Sequence, residues 1–128
     1  MDIVTKKLLN ILIQLAEADK HFAKAEREMV FRIANEKNFP EAAVSALIKN
    51  PEPIESLGAL SIDQKFEYLY SSIEMIFADR NVFESEILFS KNIAIKLGFR
   101  KDVIDHFIRE YGKIPREEFK KIALRDYV

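Results

Sequence analysis

The sequence predicts an all-α fold: a single-domain helical bundle of about seven to eight helices with two internally similar halves. Three observations carry that expectation. Apolar residues recur at intervals of three and four along most of the chain, the period of a helix with one buried face. Alternation at period two is scarce, and the Asn-Gly and Asp-Gly dipeptides that mark tight hairpins are absent. The stretch 9–48, moved forward by 60 positions without a gap, lands on 69–108 with nine of 40 positions identical. Leu9, Ile13, Ala18, Asp19, Glu26, Ile33, Ala34, Phe39 and Ile48 recur as Leu69, Ile73, Ala78, Asp79, Glu86, Ile93, Ala94, Phe99 and Ile108.

Composition agrees with one helical core. At 128 residues the chain is long enough for a single domain, whereas two separate halves of this size would each bury too little surface to be stable. It is 48% apolar and 32% charged, with three Gly and four Pro, which leaves little material for turns or disorder. Twenty basic residues against 21 acidic ones give a net charge of −1, so no global field attracts nucleic acid or an anionic membrane. Cysteine is absent, which removes disulfides, thiolate nucleophiles and Cys-ligated metals.

The first helix is expected from about Ile3 to Ala18, with Leu8, Ile11, Leu12 and Leu15 as its stripe. Asn10 and Gln14 interrupt the apolar run, which is too short and too polar for a membrane span or a targeting signal. A second helix, Lys24 to Lys37, turns Met29, Val30, Ile33 and Ala34 inward, and the short link Asp19 to Phe22 makes the two antiparallel neighbours. Asn38 ends it, and Pro40 opens a third helix that closes near Asn50. Pro51, Glu52 and Pro53 read as an extended connector between the halves, followed by a short turn of helix over Ile54 to Leu60.

The pattern then restarts. Ser61 with Gln64 three residues later fits a capping box, opening a long helix with Phe66, Leu69, Ile73 and Ile76 on one stripe and ending near Ala78. Another runs from about Glu84 to Leu97 and stops at Gly98, which suits the left-handed residue of a helix end. Lys101 to Tyr111 follows, closed by Gly112. The halves are thus 1–50 and 61–112, with a last helix over 115–128 that has no counterpart. Its Phe119, Ile122 and Ala123 are expected to pack across the end of the core, with docking of a partner as the alternative.

Packing explains the apolar matches but not the acidic ones. Asp19 and Asp79 each end a helix, and seven residues on Glu26 and Glu86 each open the next. The structural reading makes them caps: a carboxylate near the third helical position accepts from free amides and complements the helix dipole, while an Asp ties down the loop. The chemical reading makes them ligands for a hard divalent cation, which favours several oxygens around one centre. Each half supplies only two such side chains, and nothing resembles the alternating acids of an EF-hand loop.

The segment Leu12-Ile13-Gln14-Leu15-Ala16-Glu17-Ala18-Asp19, followed by Glu26 and Ile33-Ala34, resembles the signature of the TerB-like domains of tellurite resistance. Ile76-Phe77-Ala78-Asp79 with Glu86 and Ile93-Ala94 resembles it again. The resemblance covers Leu8 to Ile108. It implies an all-helical fold of two similar halves, a divalent cation held by Asp19, Glu26, Asp79 and Glu86, and no settled enzyme reaction. It also implies a small cytoplasmic bacterial protein of stress or tellurite-resistance systems, associated with the inner membrane through protein partners. The sequence departs from the pattern at Lys20 and Arg80, where the family has Gly, and these cations beside each Asp oppose metal binding.

Other candidates carry less. His21 and His106 are not repeated and read as surface or half-buried histidines, with Asp102 as a local contact for His106. Of Tyr68 and Tyr70, at most one faces the core. Lys91, Lys96, Arg100, Lys101 and Arg109 are interleaved with apolar residues and broken by Asp102 and Asp105, the pattern of a solvated face. No Gly-rich phosphate loop, HExxH or nucleophile elbow is present. The expectation is a non-catalytic binding module without a tightly held cofactor, directed at protein rather than nucleic acid. A metal-free adaptor using the last helix or an exposed helical face is the alternative.

Overall fold

The computed structural model describes residues 2–18, 20, 22–78 and 81–128. Among these residues the protein forms seven helices and no strand: α1 Ile3–Ala16, α2 Lys24–Glu36, α3 Glu41–Lys49, α4 Ile62–Ile76, α5 Glu84–Lys96, α6 Val103–Glu110 and α7 Arg116–Asp126. Among the described residues no helix is long and apolar enough to cross a membrane.

Two helices form the centre. α1 packs against α2, α3, α4 and α5, so it buries more than the single stripe the sequence suggests: Leu9, Asn10 and Ile13 are covered as well as Leu8, Ile11, Leu12 and Leu15. A helix apolar on nearly every side must be surrounded. α4 lies beside it and buries Phe66, Tyr68, Leu69, Ile73, Met75 and Ile76. Tyr68 alone of the two flanking tyrosines is fully buried, its hydroxyl donating to the carbonyl of Val4, and Tyr70 is half-buried. Burial pushes the Tyr68 hydroxyl far above its ordinary pKa, so it remains a donor.

Helix ends follow local chemistry. Ser61 and Gln64 make the capping box, with Ser61 N–H donating to Gln64 Oε1 at 2.9 Å and Gln64 N–H to Ser61 Oγ at 3.1 Å. α2 and α5 both close by the same motif: Phe39 N–H donates to Ala34 O at 2.8 Å and Phe99 N–H to Ala94 O at 2.9 Å. Between them Asn38 and Gly98 take left-handed φ of 57° and 90°. Each Phe then folds into the core, which accounts for the repeat of both Ala and Phe.

The expected helical turn at Ile54 to Leu60 does not form. The segment is non-helical, with a turn at 58–59, because it is held open as a strap. Pro51 and Pro53 flank Glu52, whose backbone is gripped by the amide of Asn10: Nδ2 donates to Glu52 O at 2.9 Å and Oδ1 accepts from Glu52 N–H at 2.9 Å. Gln14 Nε2 donates to the same carbonyl at 2.6 Å, Lys6 pairs with the Glu52 carboxylate at 2.8 Å, and Leu57 plugs the core. α7 caps the far end, burying Phe119 against Phe107 with ring centroids 4.5 Å apart. Arg100 N–H donates to Tyr127 O at 2.6 Å and ties the chain beyond α7 to the turn before α6.

Candidate functional site

Glu26 is almost fully buried at the third position of α2, and Glu86 at the third position of α5. Glu26 Oε1 accepts from Ala23 N–H at 2.9 Å, and Glu86 Oε1 accepts from Phe83 N–H at 3.2 Å. Ala23 and Phe83 have no side-chain oxygen, so the carboxylate supplies the polar half of the cap that a Ser or Asp would complete at other helix starts. The two connectors are therefore braced in the same way. Asp19 and Asp79, the other two sequence candidates, lie outside the described residues, as do His21 and Arg80.

The fit to a divalent ion rests on those aspartates. Among the described residues no group of three His, Cys, Asp or Glu stands close enough to hold a metal, and each glutamate already has one oxygen on a backbone amide. Glu26 and Glu86 by themselves do not make a site for a cation that takes six or more oxygens.

Lys20 holds φ at 66°. That is the left-handed region in which a Cβ is crowded and Gly is favoured.

His106 is half-buried with its ring 5.6 Å from that of Tyr127, so it meets an aromatic neighbour from α7's end instead of the side chain of Asp102. Asp102 accepts the His106 amide through its backbone carbonyl. Lys91 is half-buried and pairs with Asp105 at 3.2 Å, joining α5 to α6.

A second feature was not legible in the sequence. α2 and α4 both pack on α1, and a trough runs between them. One part, about 530 Å³, is lined by Met29, Arg32, Glu74, Phe77 and Tyr111 among others; the adjoining part, about 430 Å³, shares Arg32 and Glu74 and adds Glu36, Lys37 and Glu67. Phe77 and Tyr111 stack face to face, centroids 4.5 Å apart and planes within 3°. Most charges on the walls are matched: Arg32 with Glu36 at 3.9 Å and Lys37 with Glu67 at 2.7 Å. Glu74 is the exception, half-buried and without a hydrogen bond or ion pair among the described residues. Burial raises its carboxyl above the ordinary value, while the more distant Arg32 and Arg116 guanidinium groups pull the other way. The one sequence signal was its place between Ile73 and Met75, an acid set directly beside a buried stripe.

No family model matches the chain, and neither a curated protein nor a solved structure does.

Proposed function

We propose that the chain is a TerB-like binding module, built by internal duplication and acting by engaging a protein partner rather than by catalysis. In this reading it is a small cytoplasmic bacterial protein of the stress and tellurite-resistance type. The observation that carries it is the backbone at Lys20. The motif that the sequence resembles places Gly after Ala-Asp, and Lys20 adopts the positive φ for which Gly is suited. The same residue that departs from the pattern in chemistry keeps its geometry.

Duplication has its own support. Of the nine repeated pairs, the eight with both members described share the same degree of burial, from Leu9 with Leu69 to Ile48 with Ile108. Photo-crosslinking in bacterial cells, with the cross-linker placed on α2, tests the module reading. Recovery of a defined protein partner is the expected result; cross-links only within the chain would overturn it. For the adaptor alternative, α7 has already committed Phe119 and Ala123 to the core, so a partner there would meet its outer side around Leu124. A Leu124→Glu variant that recovers the same partner rules that docking mode out.

A divalent cation in the connectors is the second reading, favoured by two carboxylates buried at matching helix starts, each on a connector that also carries an Asp. Calorimetry with calcium, magnesium and zinc on the natural chain and on an Asp19→Asn, Asp79→Asn variant decides it. The reading predicts heat from the natural chain alone, and equal heat or none contradicts it.

A further inference from the structure

We propose that the trough between α2 and α4 receives a basic segment of the protein partner, with a lysine or arginine side chain lying over the Tyr111 and Phe77 wall and its charge on Glu74. The inference rests on the reading of the chain as a protein-binding module. Two properties of the trough select a cation.

The first is charge. The walls carry Glu28, Glu36, Glu67 and Glu74 against Arg32 and Lys37, two more negative than positive charges in a molecule that is nearly neutral. Lys37 and Glu67 satisfy each other, Arg32 approaches Glu36, and Glu28 has Lys24 at 3.9 Å. The carboxylate left without an ion pair among the described residues is the half-buried one, Glu74, which feels Arg32 and Arg116 only from a distance. A carboxylate kept from water and given no close partner is costly, and an incoming cation offsets that cost in the bound state alone.

The second is the shape and nature of the wall. Phe77 and Tyr111, stacked on each other, both border the trough together with Glu74, and Met29 adds an adaptable apolar edge. An aromatic face next to a carboxylate binds the ammonium or guanidinium head while its methylene stem covers apolar surface. The fold already uses this pairing nearby, where the Arg116 guanidinium lies 5.1 Å from the Phe66 centroid and 5.4 Å from that of Tyr70. The adjoining part of the trough, with Glu36 and Glu67 on its rim, extends the acidic surface along α2 and α4 and fits an extended segment rather than one small ion.

Fluorescence anisotropy with a labelled, capped peptide of alternating lysine and alanine tests the proposal on the full chain at low and physiological salt. The natural chain should bind, more weakly as salt rises. Glu74→Gln should weaken binding about tenfold, the effect of one partly screened charge pair, and Tyr111→Leu should weaken it as well. Glu41→Gln, on the exposed start of α3, should leave it unchanged. Absence of binding, equal affinity in Glu74→Gln, or equal binding of a glutamate–alanine peptide would overturn the proposal. Displacement of the peptide by equimolar spermidine would assign the trough to a free polyamine and overturn it too. Circular dichroism and urea unfolding of Glu74→Gln separate lost binding from lost structure. If the peptide fails while photo-crosslinking still recovers a partner, the module reading stands and the trough assignment falls.

Discussion

At the scale of single residues, the repeated glutamates brace the two helix starts. Glu26 and Glu86 each cap an α-helix whose preceding residue has no polar side chain, so their removal leaves an orphan amide and an unfilled buried space. Glu86→Ala and Glu26→Ala are each expected to cost about 1–3 kcal/mol by urea unfolding, and the Gln variants less, because Gln keeps an acceptor oxygen. Lys20→Gly should do the opposite and stabilise by about 0.5–1 kcal/mol, since Gly relieves the left-handed strain at φ 66° but loses more entropy on folding. An unchanged unfolding midpoint would show that Lys20 is not strained. Glu74 has a raised pKa because burial disfavours its charge. The folded state therefore holds the proton more tightly than the unfolded state, and the stability linked to it is present below the unfolded value of 4.5 and lost as pH rises through the folded value. Glu74→Gln should accordingly be more stable than the natural chain at pH 7, an advantage that disappears near pH 4.

At the scale of elements, the strap shows why polar residues inside an apolar run are informative only with the fold in hand. Asn10 and Gln14 read in sequence as interruptions of the first helix. They are the clamp that holds Glu52, which Pro53 restricts to an extended backbone so that one amide side chain bonds both its N–H and its C=O. That arrangement spans 42 residues of sequence, and no local pattern encodes it. Asn10→Ala leaves the N–H of Glu52 unpaired and its carbonyl held by Gln14 alone, and should cost about 1–3 kcal/mol. Hydrogen exchange should localise the loss, with faster exchange at Glu52 and Leu57 and little change in α5 and α6. Uniform acceleration across the chain would contradict a local strap. By contrast, the closures of α2 and α5 were written in sequence, since Asn38 and Gly98 sit at the turn and Phe39 and Phe99 follow it.

At the scale of the molecule, the all-α class and the order of the helices were legible because helical periodicity and caps are local signals. The all-round burial of α1 was not, because it depends on four neighbours arriving from other parts of the chain. The acids of the connectors were legible as a repeat, and the structure gives two of them a clear physical role as braces. The trough was not legible: Met29, Glu74 and Tyr111 come from three helical regions, and only packing brings them together. In the proposed reading the repeated glutamates fix the helix starts, while binding takes place on the α2–α4 face. Mapping backbone amide chemical shifts while adding the lysine–alanine peptide tests that division most directly. The account predicts shifts at Met29, Arg32, Glu74, Phe77 and Tyr111 with the amides of Ala23 and Phe83 unmoved; shifts centred on Ala23 and Phe83, or none at all, would contradict it.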